Sequence, residues 1–138
     1  MGRRRKVILA GLAIGVLVLA AALLQVGPFG PPALPAGAAP LSMATEAPHF
    51  GPTLGCETAL LAPVRVTAPG SDLILLNVAT GQPARVVWPS GFQAWRLGGQ
   101  ARVIARDGSV FAREGDVLTD LGGGVGVDDA FHICIIGM

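Results

Sequence analysis

From His49 onward the chain contains no lysine, and only 5% of the whole sequence is aromatic. That stretch sets six arginines (65, 85, 96, 102, 106 and 113) against eight acids, a net charge near −2. Nucleic-acid binding draws its non-specific affinity from neutralising phosphates, which calls for a basic domain. This composition excludes one. Also missing after Cys56 is any sustained 3.6-residue apolar period of helical length, which argues against a helical bundle.

Catalytic and metal-binding patterns are equally scarce. None of Ser42, Ser71, Ser90 and Ser109 sits in a G-x-S-x-G elbow, and His49 and His132 are the only histidines. A triad has no spacing to support it, so an enzyme is not expected and no cofactor is implied. His132 and Cys134 are two apart, on one face of a strand, and His49 and Cys56 could complete a Cys₂His₂ set in composition. No C-x₂-C or related zinc spacing accompanies them, so no metal site is assigned. Asp116, Asp120, Asp128 and Asp129 lack the D-x-[DN]-x-[DN]-G spacing of a calcium loop. Gly122-Gly123-Gly124 lacks the Gly-Lys-Ser/Thr or G-x-G-x-x-G context of a phosphate loop.

What the sequence does contain begins with a twenty-residue uncharged run, Val7–Val26, after the basic residues Arg3, Arg4, Arg5 and Lys6. As a helix rising 1.5 Å per residue it is about 30 Å long, the thickness of a bilayer's hydrocarbon core. No Lys or Arg follows until Arg65. The positive-inside rule therefore puts residues 1–6 in the cytoplasm and everything after residue 27 outside. The expected location is the cell membrane, crossed once. The run is long for a cleaved signal, whose apolar part is about 7–15 residues, so an uncleaved signal-anchor is the preferred reading. The alternative is cleavage near Ala36-Gly37-Ala38, an A-x-A match about ten residues past the run, which would release a secreted domain. Gly11 and Gly15 form a GxxxG that would permit a helix–helix dimer, although Gly/Ala-rich spans contain such pairs by chance.

Residues 27–55 hold seven of the eleven prolines. Proline fixes φ and removes a donor, so this stretch reads as an extended linker rather than a helix or central strand.

Residues 56–138 read as an extracytoplasmic, mainly β domain, a small sandwich or partly open barrel. The expected strands are Leu60–Thr67, Leu73–Val78, Arg85–Trp88, Phe92–Leu97, Ala101–Arg106, Ser109–Arg113, Val117–Leu121 and Phe131–Ile136. Gly/Pro/Asp turns separate them, among them the triple glycine 122–124. Asp107-Gly108 predicts a two-residue type I′ hairpin. Its register would pair Arg106 with Ser109, Ala105 with Val110, Ile104 with Phe111, Val103 with Ala112, and Arg102 with Arg113. Val103, Ala105, Val110 and Ala112 would then face the core, with Ile104 and Phe111 on the other face.

Trp88-Pro89-Ser90-Gly91-Phe92, Asp107 through Asp116, Gly122-Gly123-Gly124 and Cys134 resemble a pattern in uncharacterised exported bacterial proteins. The resemblance covers roughly residues 84–138. It implies an exported location and a β fold, and no functional residues.

Cys56 and Cys134 are the only cysteines, and in an oxidising compartment two such thiols usually pair. That bridge would close a 78-residue loop, worth about 4–5 kcal/mol in the chain-entropy model. Trp88, Trp95 and Arg96 form one candidate binding surface, because tryptophan is enriched at interaction hot spots, though core packing is its commoner fate. Arg102, Arg106 and Arg113 form another, on one hairpin face. Opposed like charges repel, so Glu114, Asp116 or an acidic partner should neutralise them. Together these features suggest a membrane-tethered accessory domain that binds a protein or envelope component without catalysis. The alternatives are the released ligand-binding domain and, third, a small hydrolase or metal-binding protein.

Overall fold

The computed structural model describes residues 31–47 and 59–136. The chain divides into two compact units, Met1–Pro31 and Pro32–Met138, and every described strand belongs to the second. The anchor expected at 7–26, with Gly11 and Gly15, lies outside the described residues. Among those that are described, no helix is long and apolar enough to cross a membrane.

The fold is mainly β, with three four-stranded sheets and no closed barrel among the described residues. Its strands are β1 (Ala39–Pro40), β2 (Ala59–Leu60), β3 (Val64–Thr67), β4 (Ile74–Asn77), β5 (Pro83–Ala84) and β6 (Val86–Val87). They continue as β7 (Gln93–Leu97), β8 (Gln100–Ile104), β9 (Val110–Arg113), β10 (Val117–Leu118), β11 (Leu121–Val125) and β12 (Phe131–Ile136). The sheet orders are β1-β7-β8-β9, β10-β3-β4-β5 and β2-β11-β12-β6. All pairings within them are antiparallel except β6 with β12. One core cluster draws on all three sheets: Val64, Val66 and Leu75, then Val103 and Ala112, then Leu121, Phe131 and Ile133.

Three sequence expectations are corrected. Part of the expected linker is folded: residues 39–40 form β1 against β7, Leu41 is buried at 7% exposure, and Thr45 bridges Trp88. Pro40 is tolerated because β1 is an edge strand, where a missing donor faces no neighbour. The folded unit therefore begins well before Cys56.

The glycines at 122–124 are not a separator but the middle of β11, between β2 and β12. A Cβ at Gly123 would stand 2.0 Å from the His132 carbonyl oxygen, so only glycine lets the two backbones come this close. The register shifts here, with Gly122 opposite Ile135 and Gly123 opposite Ile133, which leaves Cys134 as the extra residue of a β-bulge.

The 105–109 hairpin is not a two-residue type I′ turn. Ala105 pairs with Ser109, and only Gly108 has positive φ (87°), which makes a three-residue loop. The Asp107 carboxylate accepts both the Ser109 amide at 2.9 Å and the Ser109 hydroxyl at 2.6 Å, favouring this geometry over I′. A bulge at Phe111 then offsets the extra loop residue. Val103–Ala112 and Arg102–Arg113 pair as expected, while Ile104 pairs with Val110. In consequence Val103 and Ala112 are buried, Ala105 is half-buried and Val110 is exposed, whereas Ile104 is buried and Phe111 half-buried.

Candidate functional site

The densest polar cluster among the described residues is built around His132. The parallel pairing of β6 with β12 sets Val87 beside His132. The next residue, Trp88, donates its amide to Ala44 and accepts the Glu46 amide, both at 2.8 Å. Residues 44–46 are thereby aligned along β6, and the Glu46 side chain reaches the His132 Nδ1.

On the other side of the ring, Asp128 comes from the loop joining β11 to β12. Gly126 donates to Ala130 at 2.9 Å, Asp129 donates to Gly126 at 3.2 Å, and Asp129 takes a left-handed φ of 59°. This is a type I turn closed by an αL residue, and asparagine or aspartate is tolerated in that conformation. Asp128 Oδ1 accepts the Ala130 amide at 3.2 Å and lies 2.9 Å from His132 Nε2. A Cβ at Gly126 would fall 2.4 Å from His132 Nε2 and 2.7 Å from Asp128 Oδ1, so glycine here makes room for the pair.

Carboxylates only accept, so both ring nitrogens must carry protons for both bonds to form. The hydrogen bonds that His132 donates to Asp128 and then to Glu46 raise its pKa above the ordinary 6.5. The His132 bond, followed by the Ala130 amide, lowers that of Asp128 below 3.8. An imidazole held this way has neither nitrogen left to act as base or metal ligand. It ties residues 44–46 to the β11–β12 loop. Among the described residues no group of three His, Cys, Asp or Glu side chains is placed to hold a metal ion.

Of the residues singled out from the sequence, Trp95, Arg102 and Arg113 are register partners in one row across β7, β8 and β9, and Trp88 and Arg96 are not part of that row. Trp88 is 2% exposed and joins Phe92 and Phe111 in a three-ring cluster with centroids 5.7–5.9 Å apart. Trp95 is 6% exposed. Neither tryptophan is presented on a surface. Arg96 donates to the carbonyls of Gly70, at 3.0 Å, and Ala68, and so fastens the 68–70 loop to β7. Arg106 stands in the hairpin loop with its stem over Gly91.

Arg102 and Arg113 remain directly opposed. The acids expected to neutralise them are engaged elsewhere: Glu114 accepts the Ala101 amide at 3.1 Å and Asp116 accepts the Arg113 amide at 2.8 Å. All ion pairs found among the described residues belong to His132. Cys134 is exposed on β12, and no cysteine among the described residues is free. Cys56 and His49 lie outside the described residues, so the Cys56–Cys134 bridge stands as a proposal.

The His132 cluster was missed in sequence because Glu46 is 86 positions away and lay in the expected linker. The available signal was Gly126-x-Asp128 four residues before His132. Comparison with known protein families, with curated proteins and with solved structures gives no match.

Proposed function

We propose that the chain is a membrane-anchored, extracytoplasmic accessory domain that binds a partner without catalysing a reaction. In this reading residues 7–26 cross the membrane, the chain before β1 joins that span to the folded unit, and the sheets pack as a small sandwich. The cluster shared by all three sheets favours a sandwich.

The observation that carries the binding role is the opposed Arg102–Arg113 pair, which no carboxylate among the described residues meets in an ion pair. An uncompensated like-charge pair weakens the sheet by roughly 0.2–1 kcal/mol. Its position beside an edge strand makes an external counter-charge the natural complement.

A photo-crosslinking residue placed at exposed Val110 on β9 of the full chain, in cells, tests this. The expected product is an adduct with an envelope component that diminishes in Arg113→Gln. Absence of any adduct, or an adduct indifferent to that change, would contradict the binding role.

One observation favours the released form as the second reading. Ala36 and Gly37 are exposed, and Ala38 directly precedes β1, so cleavage after Ala38 would leave every described strand whole. Membrane fractionation separates the two readings: an anchored chain stays in the pellet, and a released one starts at Ala39 in the medium.

A further inference from the structure

Arg102 on β8 and Arg113 on β9 are register partners, so their side chains leave the same face of the β1-β7-β8-β9 sheet. The Glu114 amide donates to the Ala101 carbonyl at 2.9 Å, which marks 101 and 114 as a hydrogen-bonded position. The adjacent 102–113 pair is therefore non-hydrogen-bonded, the type in which opposite Cα atoms approach to about 4.5 Å and side chains stand closest.

The nearby acids, Glu114 and Asp116, accept backbone amides, and no ion pair reaches either guanidinium among the described residues. The Nε of Arg102 is buried and has no hydrogen-bond partner. A buried donor left unsatisfied costs free energy.

We propose that this pair is an anion site for a phosphate monoester group. Two guanidinium groups bring two positive charges and planar forks suited to several oxygens. A carboxylate would offset only one charge. A monoester phosphate carries about −1.5 to −2 near neutral pH and presents three oxygens, enough to bridge both forks. The proposal rests on the binding role above and names its ligand chemistry. The phosphate could belong to a soluble metabolite or to a lipid whose headgroup ends in a phosphate monoester.

The test is titration of the full chain, in uncharged detergent at constant ionic strength, with inorganic phosphate, glycerol 3-phosphate or phosphatidic acid in mixed micelles. Binding is read by ³¹P line broadening and calorimetry. Saturable binding is expected, weakened about tenfold or more by Arg113→Gln and by Arg102→Gln, since hydrogen bonds to charged groups are among the stronger ones. Arg102→Lys, which keeps the charge and loses the fork, should also weaken it, and Arg106→Gln should not.

Response to the soluble probes assigns a free ligand, and response to phosphatidic acid alone assigns a headgroup. No saturable binding by the unsubstituted chain overturns the proposal, as does equal weakening by Arg106→Gln and Arg113→Gln, the mark of diffuse charge. Should Arg102→Gln fail to fold, the exposed Arg113 still decides the matter. A Val110 adduct that persists without phosphate binding would reject the ligand class while keeping the binding role.

Discussion

His132 Nε2 stands 2.9 Å from Asp128 Oδ1, while the opposite nitrogen of the same ring meets Glu46. The raised His132 pKa means that the folded state holds the proton more tightly than the unfolded chain does. By linkage, this stabilisation is complete below about pH 6.5 and is lost as pH climbs through the raised value. Asp128 runs the other way: its contribution is present above its ordinary 3.8 and lost as pH falls through its lowered value. Thermal melting of the full chain should therefore show a plateau between about pH 4 and 6.5 and a decline above it. His132→Ala should remove the decline on the alkaline side. An unchanged profile in that variant would show that the clamp contributes nothing to the pH dependence.

Gly126 and Gly123 separate that clamp from the sheet that carries it. At Gly126 the nearest atoms an added Cβ meets belong to the His132 ring and the Asp128 carboxylate, side-chain atoms that can move apart. Gly126→Ala should weaken the pH response and leave a folded protein. At Gly123 the clash is with backbone, the His132 carbonyl at 2.0 Å, in the strand between β2 and β12. Gly123→Ala should destabilise by more than about 3 kcal/mol or prevent folding. Circular dichroism melts of the two variants check the contrast, and equal effects would contradict it.

The Trp88–Phe92–Phe111 cluster sits on the core shared by the three sheets. Trp88→Ala should cost about 3–5 kcal/mol through lost burial and the cavity left behind. Arg106→Gln, on a hairpin-loop residue, should stay within about 0.5 kcal/mol of the unsubstituted chain. Denaturant melts monitored by tryptophan fluorescence, from Trp95 alone in the first variant and from both tryptophans in the second, measure these effects.

The proposed Cys56–Cys134 bridge would tie the chain just ahead of β2 to the bulge of β12. Ala59 lies three residues after Cys56, a reach of about 10 Å, and β2 stands two strands from β12, about 9.6 Å across the sheet. Reduction should lower the melting temperature by several degrees, since about 1 kcal/mol moves a small domain by roughly 4–8 °C. Cys134→Ser should give the same loss, with no addition on reduction. Two free thiols in mass spectra of exported protein would remove the bridge.

Where side chains alternate, the sequence was readable. β4, β7, β8 and β12 lie within or one residue beyond their expected spans, and Val103 opposite Ala112 was correctly placed in the core. Where pairing depends on a partner rather than on the segment itself, it was not. Gly122–Gly124 carry no side chain to alternate, yet they form a strand because β2 and β12 supply hydrogen bonds on both sides. β1 contains a proline and has two residues, and only the β7 edge makes it a strand. Glu46 entered the His132 cluster through the backbone bonds of Trp88, a long-range relationship with no local signature. The Arg102–Arg113 opposition survived an incorrect turn type because the Phe111 bulge offset the longer loop.

We propose that the folded unit works outside the cytoplasm on a chain anchored by residues 7–26. A paired-reporter fusion after Met138 measures it most directly, using one enzyme active only after export and one active only in the cytoplasm. The exported reporter should be active and sediment with membranes, and replacing Arg3, Arg4, Arg5 and Lys6 by neutral residues should weaken that bias. Activity from the cytoplasmic reporter alone would contradict the claim.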